Sequence, residues 1–335
     1  MKKKMPYNVA VVGIGAVGKM ILKVLRTRNF PIRNLKILGR TSREIDVEWG
    51  KYNVEAISPD SFNEIDIALF AGTEGEKGAA VIYGPEAIKR GAVIIDNGAD
   101  FRLDPEVPLV VPEVNPKDVK RYKNKGIIAN PNCSTIQMVV ALWPIHKELR
   151  INRIIVCTYQ AVSGAGRDGI QQLENELSGK EATVKAFAYR IAHNVIPQVG
   201  SFQEDDFTTE EWKMVRETQK IMHSDKIKIS ATTVRVPVYT GHSEAVYIET
   251  KKSIKVEQLR QLLASSAGLK VIDNPQENKY PLPIDAEGKD EVFVGRIRKD
   301  PFVKNGFWLW IVSDNLLKGA ALNAVQIAEL LIGRI

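Results

Sequence analysis

The chain has 335 residues, of which 44% are hydrophobic and 26% charged, an ordinary globular composition that excludes disorder and allows two domains with cores of their own. Its 47 basic and 40 acidic residues leave a net charge of +7, spread along the chain apart from Lys2, Lys3 and Lys4; this balance suits anionic small molecules, and no aromatic-basic RNA motif or zinc spacing accompanies it. Two cysteines, Cys133 and Cys157, make neither a disulfide framework nor a metal cluster, and no run reaches the roughly 18 apolar residues of a spanning helix. The expectation is a cytoplasmic protein with no metal, no membrane contact and no nucleic-acid partner.

The opening MKKKMPYNVAVVGIGAVG imitates a secretory signal, but its glycine series and the lack of a small-residue cleavage site make it a first strand and its turn. Residues 7–13 read as a strand, 16–28 as a helix with apolar spacing at Val17, Ile21, Leu22, Val24 and Leu25, and 35–38 as a second strand. A strand at 66–72, a helix over 76–90 and a strand at 92–98 continue the alternation, which predicts a Rossmann-like, doubly wound parallel sheet. From Arg150 the texture changes. Longer strand patterns at 152–162, 228–238 and 244–250, with helices between them, predict an α+β domain on a mostly antiparallel sheet. The fold class is therefore α/β: residues 1–130 form a nucleotide domain, 131–315 a second domain, and a last apolar helix within 316–335, after a strand at Trp308–Val312, returns to the first.

Gly13-Ile14-Gly15-Ala16-Val17-Gly18 lies between a predicted strand and a predicted helix. The first glycine permits the tight turn, the second lets backbone approach a pyrophosphate, the third lets helix pack on strand, and the helix start supplies amide donors to the anion. An NAD-preferring fold usually places a carboxylate at the end of the second strand. Here that stretch reads Leu38-Gly39-Arg40-Thr41-Ser42-Arg43, whose guanidinium and hydroxyls suit a 2′-phosphate, so NADP(H) is the expected cofactor.

Asn130-Pro131-Asn132-Cys133-Ser134-Thr135 precedes a helical run, so Cys133 should stand at or beside a helix start, where amides and dipole favour the nucleophilic thiolate. Cys157 lies in an apolar strand and reads as a small hydrophobe. A proton carrier must come from His146, His193, His223 or His242. His146 and His223 fall in helical stretches; His242, in a turn between two β-rich runs, and His193 remain the candidates.

Taken together, the glycine turn, DNGADFRLD with VPLVVPEVN (96–115), NPNCST (130–135), TYQAVSGAGRDG (158–169), EEWKMVRETQKI (210–221), VRVPVYTGHSEAVYIET (234–250), FVGRIRKD (293–300) and SDNLLKGAA (313–321) resemble the aspartate-semialdehyde dehydrogenase family over nearly the whole chain. The resemblance implies NADPH-dependent reductive dephosphorylation of L-4-aspartyl phosphate to aspartate semialdehyde, in the pathway to lysine, threonine, methionine and diaminopimelate. It implies Cys133 as nucleophile, His242 as acid/base and Gln160 as the residue orienting the acyl group. Arg235 would hold the substrate carboxylate, Glu210 the ammonium group, and Arg102 and Lys213 the phosphate, with Asn132 also at the substrate. For the cofactor it implies Gly13, Gly15, Ala16, Val17 and Gly18 at the pyrophosphate and Arg40 and Thr41 at the 2′-phosphate. Gly72, Ser163 and Gly164 complete that set, with Asn315 at the carboxamide. A homodimer or homotetramer built through the second domain is implied as well.

The chain departs from the family pattern in two places. The usual GxTGxVG loop is one residue shorter here and lacks the threonine, and the usual DNSSAFR reads Asp96-Asn97-Gly98-Ala99-Asp100-Phe101-Arg102, two hydroxyls fewer and one carboxylate more. Two other readings compete: a phosphorylating reductase for N-acetyl-glutamyl phosphate, whose substrate has no ammonium for Glu210, and a regulatory paralogue, which would be expected to lose the nucleophile or its base.

Overall fold

A computed structural model describes residues 6–72, 78–181 and 185–335. The chain divides into two compact units, Met1–Pro131 with Ala320–Ile335, and Asn132–Gly319.

In the first unit β1 (Tyr7–Val12) is buried throughout, and the glycine turn leads from it into α1 (Ala16–Thr27), whose buried face is Gly18, Ile21, Leu22, Val24 and Leu25. β2 (Ile32–Gly39) follows, then β3 (Arg43–Val47) and β4 (Gly50–Ala56), an antiparallel hairpin absent from the sequence-based expectation. β5 (Ile67–Phe70), α2 (Ala79–Lys89), β6 (Val93–Asp96) and β7 (Ile127–Ala129) complete the sheet. Of the helix expected over 76–90, residues 76 and 77 lie outside the described residues. Among the described residues the strand order is β3-β4-β2-β1-β5-β6-β7, parallel except at the β3–β4 hairpin. β1 and β5 to β7 carry near-continuous apolar runs because a parallel strand is covered on both faces, whereas β2 exposes Arg33 and Asn34 and buries only Ile37 and Leu38.

In the second unit α3 (Cys133–Leu149) leads into β8 (Ile151–Gln160), α4 (Gly166–Leu177), α5 (Thr209–Ile221), β9 (Lys228–Arg235) and β10 (His242–Thr250). After them come α6 (Val256–Ala264), β11 (Leu269–Val271), the single turn α7 (Pro283–Ala286), β12 (Val292–Lys299) and β13 (Gly306–Ser313). The sheet order is β11-β12-β13-β10-β8-β9; the four central strands are antiparallel, and the edge strands β9 and β11 join parallel. α3 lies across the middle of this sheet, with Ile136 to Leu142 buried without a break, as expected of a helix that is apolar on every side.

The apolar segment expected as one helix over 316–332 begins instead as a π turn, Leu317–Ala321, and continues as α8 (Leu322–Ile332), which packs on α1 in the first unit. Buried Glu329 on α8 accepts from Nη2 and Nε of Arg28, at 2.7 and 3.1 Å, where α1 ends. No helix among the described residues is long and apolar enough to cross a membrane.

Candidate active site

The second unit's site is built at the start of α3. Cys133 is its first residue, and Asn132 caps it: Oδ1 accepts from the amides of Ser134 (3.0 Å) and Thr135 (3.2 Å), two donors that a helix start leaves without intrahelical partners. The other end of the same amide donates to Oε1 of Glu210 at 2.8 Å, and the backbone amide of Asn132 donates to Oε2 of Glu217 at 2.7 Å. The loop is thus pinned on both sides before the thiol. On the far side, a Cβ added to Gly319 would lie 2.9 Å from Cβ of Cys133, so the π turn packs directly against the nucleophile.

Glu210 reaches this point because α5 is fixed by its neighbour. Thr208 and Glu211 form a capping box, with the amide of Thr208 donating to Oε2 of Glu211 at 2.8 Å and the amide of Thr233 on β9 donating to its Oε1 at 2.9 Å. Glu211 is therefore spent on structure, and Glu210, buried beside it, faces Asn132. Lys213, one turn on along α5, lies 3.8 Å from Oε2 of Glu210. Gln160, the last residue of β8, donates through Nε2 to Oε1 of Glu210 at 3.1 Å while its Oε1 accepts from Thr158 at 3.1 Å.

Arg235 ends β9 and His242 begins β10. Nη1 of Arg235 donates to the carbonyl of Ala161 at 2.6 Å, and the guanidinium stands 5.6 Å from the Phe187 ring centre. Its Nε is buried without a hydrogen-bond partner, as is Nε2 of His242. Burial lowers the Arg235 pKa, opposed by the nearby charges of Glu210 and Cys133, so a thiolate at Cys133 falls within the electrostatic reach of the guanidinium. The amide of Ala161 donates to Nδ1 of His242 at 3.0 Å, which turns Nε2 to the open side of the ring. Burial first, then the positive charge of Arg235, hold the His242 pKa well below the ordinary histidine value against a smaller, raising hydrogen bond from the ring to the Gly241 backbone. The ring is neutral near pH 7. Gly164 sits over both groups: a Cβ there would fall 2.8 Å from Nη1 of Arg235 and 3.1 Å from Nε2 of His242. Asn315 ties the surrounding loops, donating to Oγ of Ser163 at 3.0 Å and accepting from the amide of Gly241 at 2.9 Å. His193, the other candidate, has a left-handed backbone (φ 61°) and is exposed.

The first unit carries the nucleotide elements. Gly13 has φ +91°, and a Cβ there would meet Ala71 and Gly72 backbone at 3.1–3.2 Å; a Cβ on Gly18 would collide with the carbonyl of Gly13. At Gly15, which caps α1, a Cβ would meet nothing within 4 Å, and the first turn of α1, including Ala16 and Val17, holds no acidic residue. An open helix start whose first turn carries no carboxylate fits a pyrophosphate. Arg40 and Thr41 follow β2 and are exposed, and Nη1 of Arg43 donates to Oγ1 of Thr41 at 3.2 Å. Arg102 is buried, its Nη2 donating to the carbonyl of Asn97 at 2.7 Å.

Sequence reasoning brought out Cys133, Gln160, Glu210, Lys213, Arg235 and His242, which the second unit gathers around one helix start. It missed Glu217, Thr158 and Gly319. Glu217 lies seven residues, about two helical turns, beyond Glu210 on α5 and so on the same face, a spacing that could have flagged it; Gly319 carries no signal, because its proximity to Cys133 arises only in the folded chain.

A parallel nucleotide-binding sheet and a separate sheet domain with a capped thiol define the semialdehyde dehydrogenase class. Residues 8–122 match the family described as "Semialdehyde dehydrogenase, NAD binding domain", and residues 142–318 match "Semialdehyde dehydrogenase, dimerisation domain". The chain is 52% identical to the aspartate-semialdehyde dehydrogenase of Aquifex aeolicus over 98% of both chains, and 48% identical to that of Bacillus subtilis over 96% of both. A crystal structure of aspartate semialdehyde dehydrogenase II from Vibrio cholerae, complexed with ASA, superposes with a TM-score of 0.93 at 43% identity, covering 98% of this chain and 99% of that one. The chain belongs to the aspartate-semialdehyde dehydrogenase family, and is an oxidoreductase with a Rossmann-like nucleotide domain.

Proposed function

We propose that the protein reduces L-4-aspartyl phosphate to L-aspartate 4-semialdehyde and phosphate with NADPH, through a thioester on Cys133, in the pathway to lysine, threonine, methionine and diaminopimelate. The observation that carries this reading is the placement of Cys133 as the first residue of α3, within electrostatic reach of Arg235 and held between Asn132 and Gly319. In this scheme the thiolate attacks the acyl carbon, its electron pair forms the C–S bond, and the C–O bond to phosphate breaks. Nε of Arg235 supplies a buried donor for the α-carboxylate, and Glu210, held by Asn132 and Gln160, takes the ammonium group. Gln160 orients the acyl group. Arg102 and Lys213 are the cations assigned to the phosphate. His242, neutral, presents Nε2–H to the oxygen that gains charge and protonates it when the thioester is reduced; it takes that proton back as C=O re-forms, the C–S bond breaks with its electron pair returning to Cys133, and the aldehyde is released.

Bound NADPH supplies the hydride that reduces the acyl carbon. Gly13, Gly15, Ala16, Val17 and Gly18 are assigned to its pyrophosphate, Arg40 and Thr41 to its 2′-phosphate, and Gly72, Ser163, Gly164 and Asn315 to the remainder, Asn315 at the carboxamide. Residues 1–130 with the C-terminal helix serve as the nucleotide domain and 131–315 as the catalytic and dimerisation domain of a cytoplasmic homodimer or homotetramer.

The test is steady-state oxidation of aspartate semialdehyde. Turnover is expected only when NADP and phosphate, or arsenate in its place, are both present. Equal turnover without either anion removes the thioester scheme, and higher activity on the N-acetylated five-carbon semialdehyde reassigns the substrate.

A further inference from the structure

Far from the thiol, at the opposite end of α3, the second unit has a recess of about 400 Å³ where α3 and α5 both end. A helix of 17 residues spans about 25 Å, so this recess is distinct from the site at Cys133. Arg150, Lys226, Lys251, His223 and His146 line it with Trp143, and no acidic side chain does; Glu148 and Asp225, adjacent in sequence, are not among its lining groups. His146 is only 6% exposed, its ring stacks against the Trp143 indole with centroids 6.1 Å apart, and its Nδ1 is buried without a hydrogen-bond partner.

Cations often gather at helix C-termini simply to answer the exposed carbonyls. Here backbone already does that. The amide of Lys251 donates to the carbonyls of Leu149 (3.1 Å) and Arg150 (2.9 Å), that of Lys252 to Leu149 (3.1 Å), and at the end of α5 the amide of Ser224 donates to Gln219 at 3.0 Å. The head groups of Arg150, Lys226 and Lys251 are left for another partner. Two of the lining residues, Arg150 (φ 59°) and His223 (φ 49°), also occupy left-handed positions at helix ends, where glycine is the favoured residue.

We propose that this recess is a binding site for a phosphoryl dianion, with the guanidinium of Arg150 and the ammonium groups of Lys226 and Lys251 at its rim and Nδ1 of His146 donating from its wall. The site is independent of the dehydrogenase reading.

Inorganic pyrophosphate is the probe, titrated at constant ionic strength and followed by hydrogen–deuterium exchange, which separates protection at 143–152 and 222–226 from any at the active site. The decisive variant is Arg150→Gly, because glycine suits the left-handed backbone while removing the charge; Lys226→Gln is the second. Protection at the recess is expected in the wild type and is expected to need roughly tenfold more pyrophosphate in each variant, with the melting temperature of Arg150→Gly unchanged or raised. Absence of local protection in the wild type overturns the proposal. So does protection that both variants keep, or a lower melting temperature with unaltered binding, which makes these cations helix caps.

Discussion

Gly164 leaves no space for a side chain above His242: a Cβ at that position would fall 3.1 Å from Nε2. It would also fall 2.8 Å from Nη1 of Arg235, and neither group can retreat, since His242 is held by the Ala161 amide and Arg235 by the Ala161 carbonyl. Gly164→Ala is therefore expected to push two functional groups off their positions. Shifts of a few tenths of an ångström at these groups are expected to lower kcat/KM by on the order of tenfold, with little change in melting temperature. Wild-type turnover in this variant would show that the ring and guanidinium have more freedom than the geometry allows.

His242 and Glu244 lie two residues apart on β10, both fully buried, and burial pushes their pKa values in opposite directions. For Glu244, burial raises the carboxyl well above the ordinary 4.5 against a smaller lowering contact from Gln137, so the folded protein keeps a proton that the unfolded chain gives up. Stability from this group is present below pH 4.5 and is lost as pH rises above it. Glu244→Gln, a neutral side chain of the same shape, is expected to leave the melting temperature unchanged near pH 4 and to raise it by a few degrees at pH 8. A fall at pH 8 in thermal scans would mean that an ionised Glu244 is needed.

His242 has the opposite sign. Its folded pKa lies below 6.5, so as pH falls through 6.5 the unfolded chain binds a proton that the folded ring refuses, and stability declines from there downward. In His242→Asn the slope of melting temperature between about pH 5 and 6.5 should flatten, while turnover collapses. An unchanged slope would place the titration elsewhere.

Glu329 is 1% exposed and depends on Arg28 for its close ion pair, with Arg334 farther off at 3.8 Å. Arg28→Met strands a buried carboxylate between α1 and α8. A loss of roughly 2–4 kcal/mol in urea unfolding is expected, whereas a loss below about 0.5 kcal/mol would show that Arg334 moves in to replace it.

If Arg40 reads the 2′-phosphate, Arg40→Leu should raise the KM for NADPH roughly tenfold and leave that for NADH unchanged. Parallel changes in both constants would assign Arg40 to another part of the nucleotide or to none.

Much of this architecture could be read from residue order. The central parallel strands β1, β5 and β6 announce themselves as largely apolar runs, and Asn132-Cys133 ahead of an apolar stretch marks the start of α3. The hairpin β3–β4 gave little signal because its strands are largely exposed, with Val54 alone buried in β4 and the Glu44-Ile45-Asp46-Val47 alternation of β3 too short to stand out. The π turn at 317–321 was hidden inside a segment of uniform helical character. His242 reads as a turn residue from Thr240-Gly241, yet it is the first residue of β10, since the strand expected from 244 starts two residues earlier. Glu244 shows another limit: alternation along β10 puts it on the face of Val246 and Ile248, but a carboxylate in a strand reads as solvent-facing unless burial is known. The recess at the end of α3 joins residues about 100 positions apart, which no local pattern reveals.

The double use of the Asn132 side chain exposes the enzyme to one form of chemical ageing. Its oxygen caps α3 and its nitrogen donates to Glu210. Deamidation to aspartate would keep the cap and destroy the donor, setting a second carboxylate at 2.8 Å from the first and adding negative charge beside the thiol. Such a molecule would stay folded, keep its mass to within a single unit and be silent, so that stored preparations could lose activity with no sign of aggregation or oxidation.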